Sequence, residues 1–318
     1  MLDLPNLKED IKTEAHHLGF THMGVAPANP APRYEVFQAW VEAGHHADMG
    51  YLSRQDTLAK RADPGLILKG CQRVISLAMP YPAPQAPLNS TPPGMGRISA
   101  YARLRDYHET LWEALGKLEA FIIDRSGGAA RVKSYVDTGP ILERGYAALA
   151  GIGIPGKNTC LIIPKVGSYV FLAEILTDLP LPVDPPFTRD LCGTCQRCIQ
   201  ACPTGCILPD RTIDANRCLS YLTIENQGII PEPLKPQLGD WLFGCDVCQM
   251  VCPHTKVAPS HNQTPDQPAP LADPVLPEFI DLVDLLALDQ NAFSKTFKGT
   301  SLWRAKRRGL IRNAAVIL

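Results

Sequence analysis

Apolar residues along the first 185 positions alternate between the spacing of a helix and that of a strand. Helical spacing places Leu7, Ile11, Ala15 and Leu18 on one side of a first helix. Further helices are predicted over residues 106–127 and 140–150, and strands over residues 73–82, 131–137, 158–164 and 168–176. This alternation indicates a mixed α/β domain.

Two proline-rich stretches interrupt the pattern. Six prolines between positions 80 and 96 predict an irregular loop, and the segment DLPLPVDPPF predicts a domain boundary. We therefore expect an α/β domain at 1–185, a cysteine-rich module at 186–256, and a linker followed by short helices at 257–318. The final segment, IRNAAVIL, stops in the middle of its pattern, which indicates a shortened chain.

Composition and charge argue against a membrane protein and indicate a basic surface near the end of the chain. The 318 residues are 45% apolar, enough for a large core, but no apolar run reaches the roughly 18 residues that span a bilayer. The first ten residues lack the basic and apolar regions of a secretory signal, so we expect a cytoplasmic protein. The net charge is −1, yet residues 291–318 carry seven basic residues and no acidic one.

The segment GIGIPGKNT at 151–159 matches G-x-G-x-x-G and the beginning of a P-loop, two nucleotide-binding motifs. Both motifs need a strand before the glycines and a helix after them. Here the predicted order is reversed, with a helix that has Pro140 in its first turn and Gly151 as its C-cap. Lys157 is not followed by the Ser or Thr of a P-loop. We therefore favour a helix-to-strand loop over a nucleotide site, although such a loop can bring backbone close to a large planar ligand.

Eight of the eleven cysteines form two sets that are typical of a double iron–sulfur module. The first set reads C-x2-C-x2-C-x3-C-P, a run in which the last cysteine of a bacterial ferredoxin binds the other cluster. That exchange assigns one 4Fe–4S cluster to Cys192, Cys195, Cys198 and Cys252, and the other to Cys202, Cys218, Cys245 and Cys248. A zinc ribbon is the alternative, because two C-x2-C pairs also suit zinc. Three cysteines are not needed as ligands, namely Cys71, Cys160 and Cys206.

Four segments together resemble the epoxyqueuosine reductase family. They are ISAYARLRDYH, SYVDTGPILERGYAALAGIGIPGKNTCLI, CLSYLTIENQG and GDWLFGCDVCQMVCP. The resemblance implies the last step of queuosine synthesis on tRNA, an epoxide reduction by cobalamin that is itself reduced through two 4Fe–4S clusters. It also implies a cobalamin-binding catalytic domain at 1–185, a ferredoxin-like module at 186–256, and a short, basic, HEAT-like helical tail. The D-x-H-x-x-G loop of other cobalamin proteins is absent, which fits a base-off cobalamin without a His ligand.

The resemblance also implies roles for individual residues. Asp137, which the sequence alone would make a helix cap, matches the family's proton donor. The chemistry needs such a donor, because the departing epoxide oxygen must be protonated, and a carboxylic acid serves at neutral pH when burial raises its pKa. His108 is expected to line the active site. Cobalamin contacts are expected from Asp137 and from Arg61, Tyr101, Lys157, Asn158, Ser220, Tyr221, Thr223, Leu242 and Phe243.

The implied substrate is tRNA that carries epoxyqueuosine at the wobble position, where an unstacked base can enter a pocket. The basic run WRAKRRGLIR suits phosphate contacts, although such runs are also typical of a solvated helix face; its candidates are Arg304, Lys306, Arg307, Arg308 and Arg312. We expect a monomer that receives electrons from a low-potential donor of the flavodoxin or ferredoxin type. Two alternatives are a small-molecule reductase that resembles cobalamin-dependent reductive dehalogenases, and a non-catalytic ferredoxin-type electron-transfer protein.

Overall fold

The computed structural model describes residues 2–256, 271 and 273–318, and these ranges contain twelve α-helices and nine strands. The helices are α1 Leu4–His17, α2 Tyr34–Glu42, α3 Gln55–Ala62, α4 Tyr107–Arg125, α5 Glu143–Leu149, α6 Arg197–Ala201, α7 Leu219–Ile224, α8 Val247–Met250, α9 Pro253–Lys256, α10 Leu282–Ala287, α11 Gln290–Phe297 and α12 Lys306–Ile317. The strands are β1 His22–Pro27, β2 Arg73–Pro80, β3 Met95–Ile98, β4 Val132–Tyr135, β5 Ile154–Pro155, β6 Leu161–Ile162, β7 Val170–Thr177, β8 Trp241–Phe243 and β9 Phe279–Asp281. Most of the expected irregular linker, residues 257–270, lies outside the described part.

Four strands form an antiparallel sheet in the order β1-β2-β7-β4. Side chains alternate between the two faces of a strand, so the apolar residues of β2 supply two cores. Ile75, Leu77 and Met79 pack into the main core with residues of α1 and α4, whereas Val74 packs with Tyr146 of α5. Helices therefore cover both faces of the sheet, and the predicted mixed α/β class is confirmed.

One row of residues on the α5 face of this sheet is small or polar. In the register of the strands, Gly24 pairs with Ser76, Ser76 with Glu174, and Glu174 with Tyr135. A Cβ atom at Gly24 would lie 2.0 Å from the carbonyl oxygen of Ala150, at the end of α5. The glycine therefore allows α5 to sit directly on the sheet, above the polar row.

A second sheet, in the order β8-β3-β9, joins three distant parts of the chain. The middle strand β3 pairs in parallel with β8 and antiparallel with β9. Its residue Arg97 is 1% exposed, and its guanidinium lies over the rings of Trp241 in β8 and Phe279 in β9. Each of the three predicted segments thus contributes one strand to this sheet.

The predicted elements are present with altered ends. The first helix is α1, with Leu7, Ile11 and Ala15 buried, and residues 106–127 contain α4. The strands predicted at 73–82, 131–137 and 168–176 correspond to β2, β4 and β7, but the one at 158–164 is reduced to the two residues of β6. Strand β1 was missed because its sequence, HMGVAP, contains the strand-disfavoured residues Gly and Pro.

The helix predicted over 140–150 is shorter than expected. It begins at Glu143 as α5, so Pro140 lies before the helix rather than in its first turn. The C-cap is Ala150, and Gly151 follows it with φ +79°, the left-handed conformation that ends many helices. The helix-then-strand order expected around the glycine-rich segment is nevertheless present, since β5 follows α5.

The short helices predicted for the tail are α10, α11 and α12. Their buried residues, among them Phe293, Phe297 and Leu310, pack against Phe243 of β8 and Ile98 of β3. The tail is therefore anchored on the second sheet. Within the described ranges, no helix has the length and apolar character needed to cross a bilayer.

The contact between Gly24 and α5 predicts a stability difference between two glycine substitutions. Gly24→Ala should destabilise the protein by about 1–3 kcal/mol, because the new methyl group collides with backbone of α5. Gly116→Ala is the matched control, since Gly116 lies on the exposed face of α4 and has no atom within 4 Å of the added Cβ. That control should gain about 0.5–1 kcal/mol from helix propensity. Chemical denaturation would measure both, and equal effects would contradict the predicted contact.

Candidate active site and iron–sulfur module

Asp137 lies in a turn just after β4, with an uncommon φ of +54°. Its backbone N–H donates to Glu143 Oε1 at 2.8 Å, and its Oδ2 accepts from the hydroxyl of Tyr107 at 3.0 Å. The side chain is 63% exposed, and Oδ2 lies 3.8 Å from Nε2 of His108. Asp137 does not cap α5, whose N-cap is Leu142. Asp137 thus has an accessible carboxyl group. The hydroxyl of Tyr107 and the backbone hydrogen bond to Glu143 hold it in place.

Tyr107 and His108 begin α4, and Asp106 caps this helix. Asp106 Oδ1 accepts the backbone N–H of His108 at 3.1 Å and also contacts its ring Nδ1 at 2.7 Å. The ring of Tyr107 stacks between His108 and Phe171, with centroids 4.2 Å from each. Burial and the charge of Asp137 raise the pKa of Tyr107, so its hydroxyl remains a hydrogen-bond donor to Asp137. The expected active-site residue His108 therefore does lie beside Asp137.

Tyr101 connects this site to the cysteine-rich module. It lies in the turn after β3, and its ring contacts Tyr107 and Phe171 on one side and Phe243 of β8 on the other. Burial raises the pKa of Tyr101, so the residue is neutral. The neighbouring N–H of Ala100 donates to buried Asp246 Oδ2, in the module, at 2.7 Å. These contacts place the module directly behind the Asp137 turn.

Two further acidic residues near this turn, Glu143 and Glu174, were not predicted from the sequence. Glu143 begins α5, and Glu174 lies in the middle of β7 with 0% of its surface exposed. Burial and the charge of Asp137 raise the pKa of Glu143 to about 8. Burial and the neighbouring Glu143 raise the pKa of Glu174 well above its usual value. The sequence signal was present, since Glu174 is the one charged residue of the strand VFLAEILT, whose other residues are apolar except for the final Thr.

The structure brings the four cysteines of the first predicted cluster around one cavity. This cavity is lined by Cys192, Cys195, Cys198 and Cys252, together with Asn158, Ile162, Leu191, Arg197, Pro253 and His254. Among the residues described here, no three His, Cys, Asp or Glu side chains converge as ligands of a single ion would. Thiols spread around a cavity fit a cubane better than they fit one zinc ion.

The second predicted set lies around the start of α7 and the turn before α8. The thiols of Cys202, Cys218 and Cys245 are close enough for their charges to shift one another's pKa, and Cys218 likewise affects Cys248. Cys206, which the pattern left over, is buried with its sulfur 3.5 Å from that of Cys202. A further cysteine thus lies directly against this ligand set.

The glycine-rich segment contacts the cysteine-rich module. Lys157 Nζ donates to the carbonyl oxygens of Gly193 and Cys195, at 2.8 and 2.9 Å. The Asn158 amide donates to the carbonyl oxygen of Cys248 at 3.5 Å, and its Oδ1 is buried without a partner within the described ranges. The segment therefore touches the loops of both predicted clusters.

Two of the other expected cobalamin contacts, Arg61 and Tyr221, are buried against residues of the α/β domain. Arg61 is 8% exposed, stacks on Phe37 and has a buried Nη1 without a partner among described residues. The hydroxyl of Tyr221 donates to Asp48 Oδ2 at 3.0 Å. The remaining expected contacts lie in the module. Ser220 is half-buried, whereas Thr223, Leu242 and Phe243 are fully buried in its core.

The basic run divides into residues with structural contacts and residues that face solvent. Arg304 forms a bidentate ion pair with Glu225, and Arg307 donates to the carbonyl oxygen of Leu288 at 2.7 Å. Arg312 donates to carbonyl oxygens of Leu222, Asn226 and Gly228 around the end of α7. Lys306 lies over the ring of Trp303, and both Lys306 and Arg308 are exposed. These two are the residues most available to a polyanion.

Two family patterns match the chain. Residues 191–255 match a 4Fe-4S double cluster binding domain, and residues 61–138 match the family described as "Epoxyqueuosine reductase QueG, DUF1730". The epoxyqueuosine reductase of Escherichia coli (strain K12) is 38% identical over 320 residues, which cover all of this chain and 82% of that protein. The enzyme of the same name from Pseudomonas aeruginosa is 37% identical, over 99% of this chain and 85% of its own length.

Solved structures of similar proteins share the fold. An epoxyqueuosine reductase in complex with an epoxyqueuosine-modified tRNA-Tyr stem loop matches with a TM-score of 0.82 and 32% identity, over 98% of this chain and 81% of that one. The Bacillus subtilis enzyme matches with the same TM-score and coverage at 30% identity. Its structure is described as having an aspartate-bearing catalytic loop swung out of the active site.

The cavity around the first cysteine set predicts a selective loss of iron. After anaerobic reconstitution, Cys252→Ala should lower the iron content from about eight atoms per chain to about four, because one cubane loses a ligand. Cys71→Ala is the control, since burial raises the pKa of Cys71 to about 11 and keeps this thiol protonated in the α/β domain. Iron analysis and electron paramagnetic resonance would measure the change. An unchanged iron content in Cys252→Ala would contradict the ligand assignment.

Proposed function

The chain belongs to the epoxyqueuosine reductase family, and on that basis we propose how its residues reduce the epoxide of epoxyqueuosine. Its activity is that of an oxidoreductase which converts epoxyqueuosine to queuosine. The observation that carries the proposed mechanism is the position of Asp137, an accessible acid held by Tyr107 next to a double-cluster module. Reduction of an epoxide to an alkene consumes two electrons and two protons and releases water, so the site needs a source of each.

Asp137 is the proposed proton donor to the departing oxygen. A carbon–oxygen bond breaks more easily when the oxygen is protonated as it leaves. The hydroxyl of Tyr107 fixes the orientation of the Asp137 carboxyl, and His108 lies on the same side. The contact with Tyr107 therefore positions the carboxyl group that is proposed to donate the proton.

The eight cysteines are the proposed ligands of two 4Fe–4S clusters, which supply one-electron transfer. A pocket of about 640 Å³ opens beside Cys192 and Cys195 at the surface. We place electron entry there, from a low-potential donor of the flavodoxin or ferredoxin type. The second set lies nearer the active site, because Asp246 between Cys245 and Cys248 bonds to the turn that carries Tyr101.

Several residues fit a corrin cofactor between the α/β domain and the module. Arg61 Nη1 and Asn158 Oδ1 are buried polar atoms without partners in the described part of the chain. Corrin side chains end in amides, which accept from a guanidinium and donate to an amide oxygen. When bound, cobalamin supplies the low-valent metal that gives electrons to the substrate. In this proposal Arg61 and Asn158 bind its periphery, and Tyr101 closes the apolar wall beside Asp137.

The proposed substrate is the anticodon loop of a tRNA. The relative in complex with a modified stem loop supports this choice. On this chain, exposed Lys306 and Arg308 offer phosphate contacts at the start of α12. Arg304, which forms an ion pair with Glu225, is a further exposed cation of this run. A loop bound along this side would bring an unstacked base towards Asp137.

The activity and the role of Asp137 are tested by one reconstitution. With iron, sulfide, cobalamin and a low-potential reductant, the protein should convert epoxyqueuosine in tRNA to queuosine, as measured by nucleoside analysis. Omission of either cofactor should stop conversion. Asp137→Asn should lower turnover by about 10²–10⁴-fold, because the acid is lost. Its cluster and cobalamin absorbance should remain, and Asp124→Asn, on the exposed face of α4, should behave as wild type. An active Asp137→Asn enzyme would rule out this donor.

The exposed cations predict a salt-dependent loss of tRNA affinity. The double variant Lys306→Ala/Arg308→Ala should bind a stem loop more weakly, with the slope of log affinity against log salt reduced by about 0.7–0.9 per lost contact. A control is Lys117→Ala, which removes an exposed charge paired with Glu113 on α4. Binding titrations with the stem loop at several salt concentrations would distinguish the double variant from the Lys117→Ala control. An unchanged slope in the double variant would show that these residues do not contact phosphate.

A further inference from the structure

Cys206 is a buried cysteine that neither proposed cluster needs as a ligand. It is 4% exposed and lies four residues after Cys202, a proposed ligand of the second cluster. The sulfur atoms of the two residues are 3.5 Å apart, within hydrogen-bond range for sulfur. Thr204 is also buried, and its hydroxyl oxygen lies 3.6 Å from the Cys202 sulfur. Two buried side chains that carry a polar hydrogen thus contact one ligand sulfur.

The backbone gives this turn a defined shape. The N–H of Gly205 donates to the carbonyl oxygen of Cys202 at 3.2 Å. Gly205 has a φ of +60°, a conformation that glycine adopts without strain. On the other side of the turn, the carbonyl oxygen of Cys206 accepts the N–H of Asp214 at 2.8 Å. The segment that carries Cys206 is therefore held by hydrogen bonds at both ends, next to the Cys202 sulfur.

The direction of the sulfur–sulfur hydrogen bond follows from the chemistry of the ligand. A cysteine binds iron as a thiolate, so Cys202 has no hydrogen to donate once the cluster is bound. A thiol that binds no metal keeps its hydrogen at neutral pH when it is buried, because burial favours the neutral form. Cys206 is therefore the donor and the Cys202 sulfur is the acceptor. For the same reason the Thr204 hydroxyl donates to this sulfur.

We propose that the Cys206 thiol donates a hydrogen bond to the Cys202 sulfur and thereby raises the reduction potential of the second 4Fe–4S cluster. The inference rests on the proposed assignment of Cys202 to that cluster. Reduction adds negative charge that the ligand sulfurs share, and a hydrogen-bond donor stabilises the more negative form. Cys206 acts only through Cys202, so it is a positioning residue and not a catalytic one.

A higher potential at the second cluster gives electron transfer through the module a direction. The surface pocket where electrons are proposed to enter is lined by Cys192 and Cys195, which are assigned to the first cluster. The second cluster is the one proposed to lie nearer the active site. In each transfer the first cluster is oxidised by one electron, the second is reduced by one, and the low-potential donor reduces the first again. The hydrogen bond from Cys206 therefore favours electrons on the active-site side.

Redox titration of the reconstituted holoenzyme, followed by electron paramagnetic resonance, tests the hydrogen bond without turnover. Cys206→Ala should change the reduction equilibrium of one cluster by about three- to tenfold, which lowers its midpoint potential by about 30–60 mV for one electron. The potential of the other cluster should not change and serves as an internal reference. Cys206→Ser keeps a hydrogen-bond donor, so its potentials should stay close to those of the wild type.

Three controls identify the origin of the shift. Iron analysis should give about eight atoms per chain in both Cys206 variants, because Cys206 is not a ligand. Cys71→Ala removes a thiol that contacts the carbonyl oxygen of Arg73 in the α/β domain, and it should leave both potentials unchanged. In the Cys252→Ala protein, which is expected to keep only the second cluster, the added Cys206→Ala change should produce the same shift.

The possible failures can be told apart. Two clusters with unshifted potentials in Cys206→Ala would overturn the hydrogen bond and leave the ligand assignment intact. A loss of about four iron atoms in Cys206→Ala would identify Cys206 as a ligand, which would also overturn the inference. A Cys206→Ser potential as low as that of Cys206→Ala would attribute the shift to side-chain volume and not to a donor. Wild-type protein with fewer than two clusters would overturn the proposed ligand assignment itself.

Discussion

A single buried guanidinium, that of Arg97, fastens together three parts of the chain that are far apart in sequence. It lies 5.6 Å from the ring centre of Trp241 and 5.0 Å from that of Phe279, and Nη2 donates to the carbonyl oxygen of Pro87 at 2.7 Å. Its nearest counter-charge is Glu278, at 4.0 Å. A charge removed so completely from water is tolerated only with such partners. The α/β domain, the module and the tail are therefore expected to fold as one cooperative unit.

This constraint also explains where the candidate active site lies. The chain that leaves Arg97 along β3 continues directly into the turn of Ala100 and Tyr101, which bonds to Asp246 of the module and touches Tyr107 of α4. The buried guanidinium thus fixes the distance between the cysteine sets and the acid. The proposed proton donor therefore lies next to the module that is proposed to supply the electrons.

Local features could be read from the sequence, and features that depend on cross-strand pairing could not. The double-cluster domain was predictable because most of its cysteines follow C-x2-C and C-P spacings, and α1 and α4 because their apolar period is regular. Asp137 needed a family resemblance, since an acid after a strand is more often a cap. Glu143 and Glu174 were missed because their proximity follows from the register of β7 against its neighbours and from the seat of α5 on Gly24. The one indication in the sequence was Glu174, a single acidic residue in the mostly apolar strand β7.

The conformation of the Asp137 turn depends on two hydrogen bonds. A positive φ at a non-glycine residue costs about 1 kcal/mol or more, so this turn persists only while its contacts hold it. Those contacts are the bond that the Asp137 N–H donates to Glu143 Oε1 and the bond that the Tyr107 hydroxyl donates to Asp137 Oδ2. The structure of the Bacillus subtilis relative is described as having its aspartate-bearing catalytic loop swung out of the active site. In this chain, two hydrogen bonds therefore set the position of the carboxyl group that we propose as the proton donor.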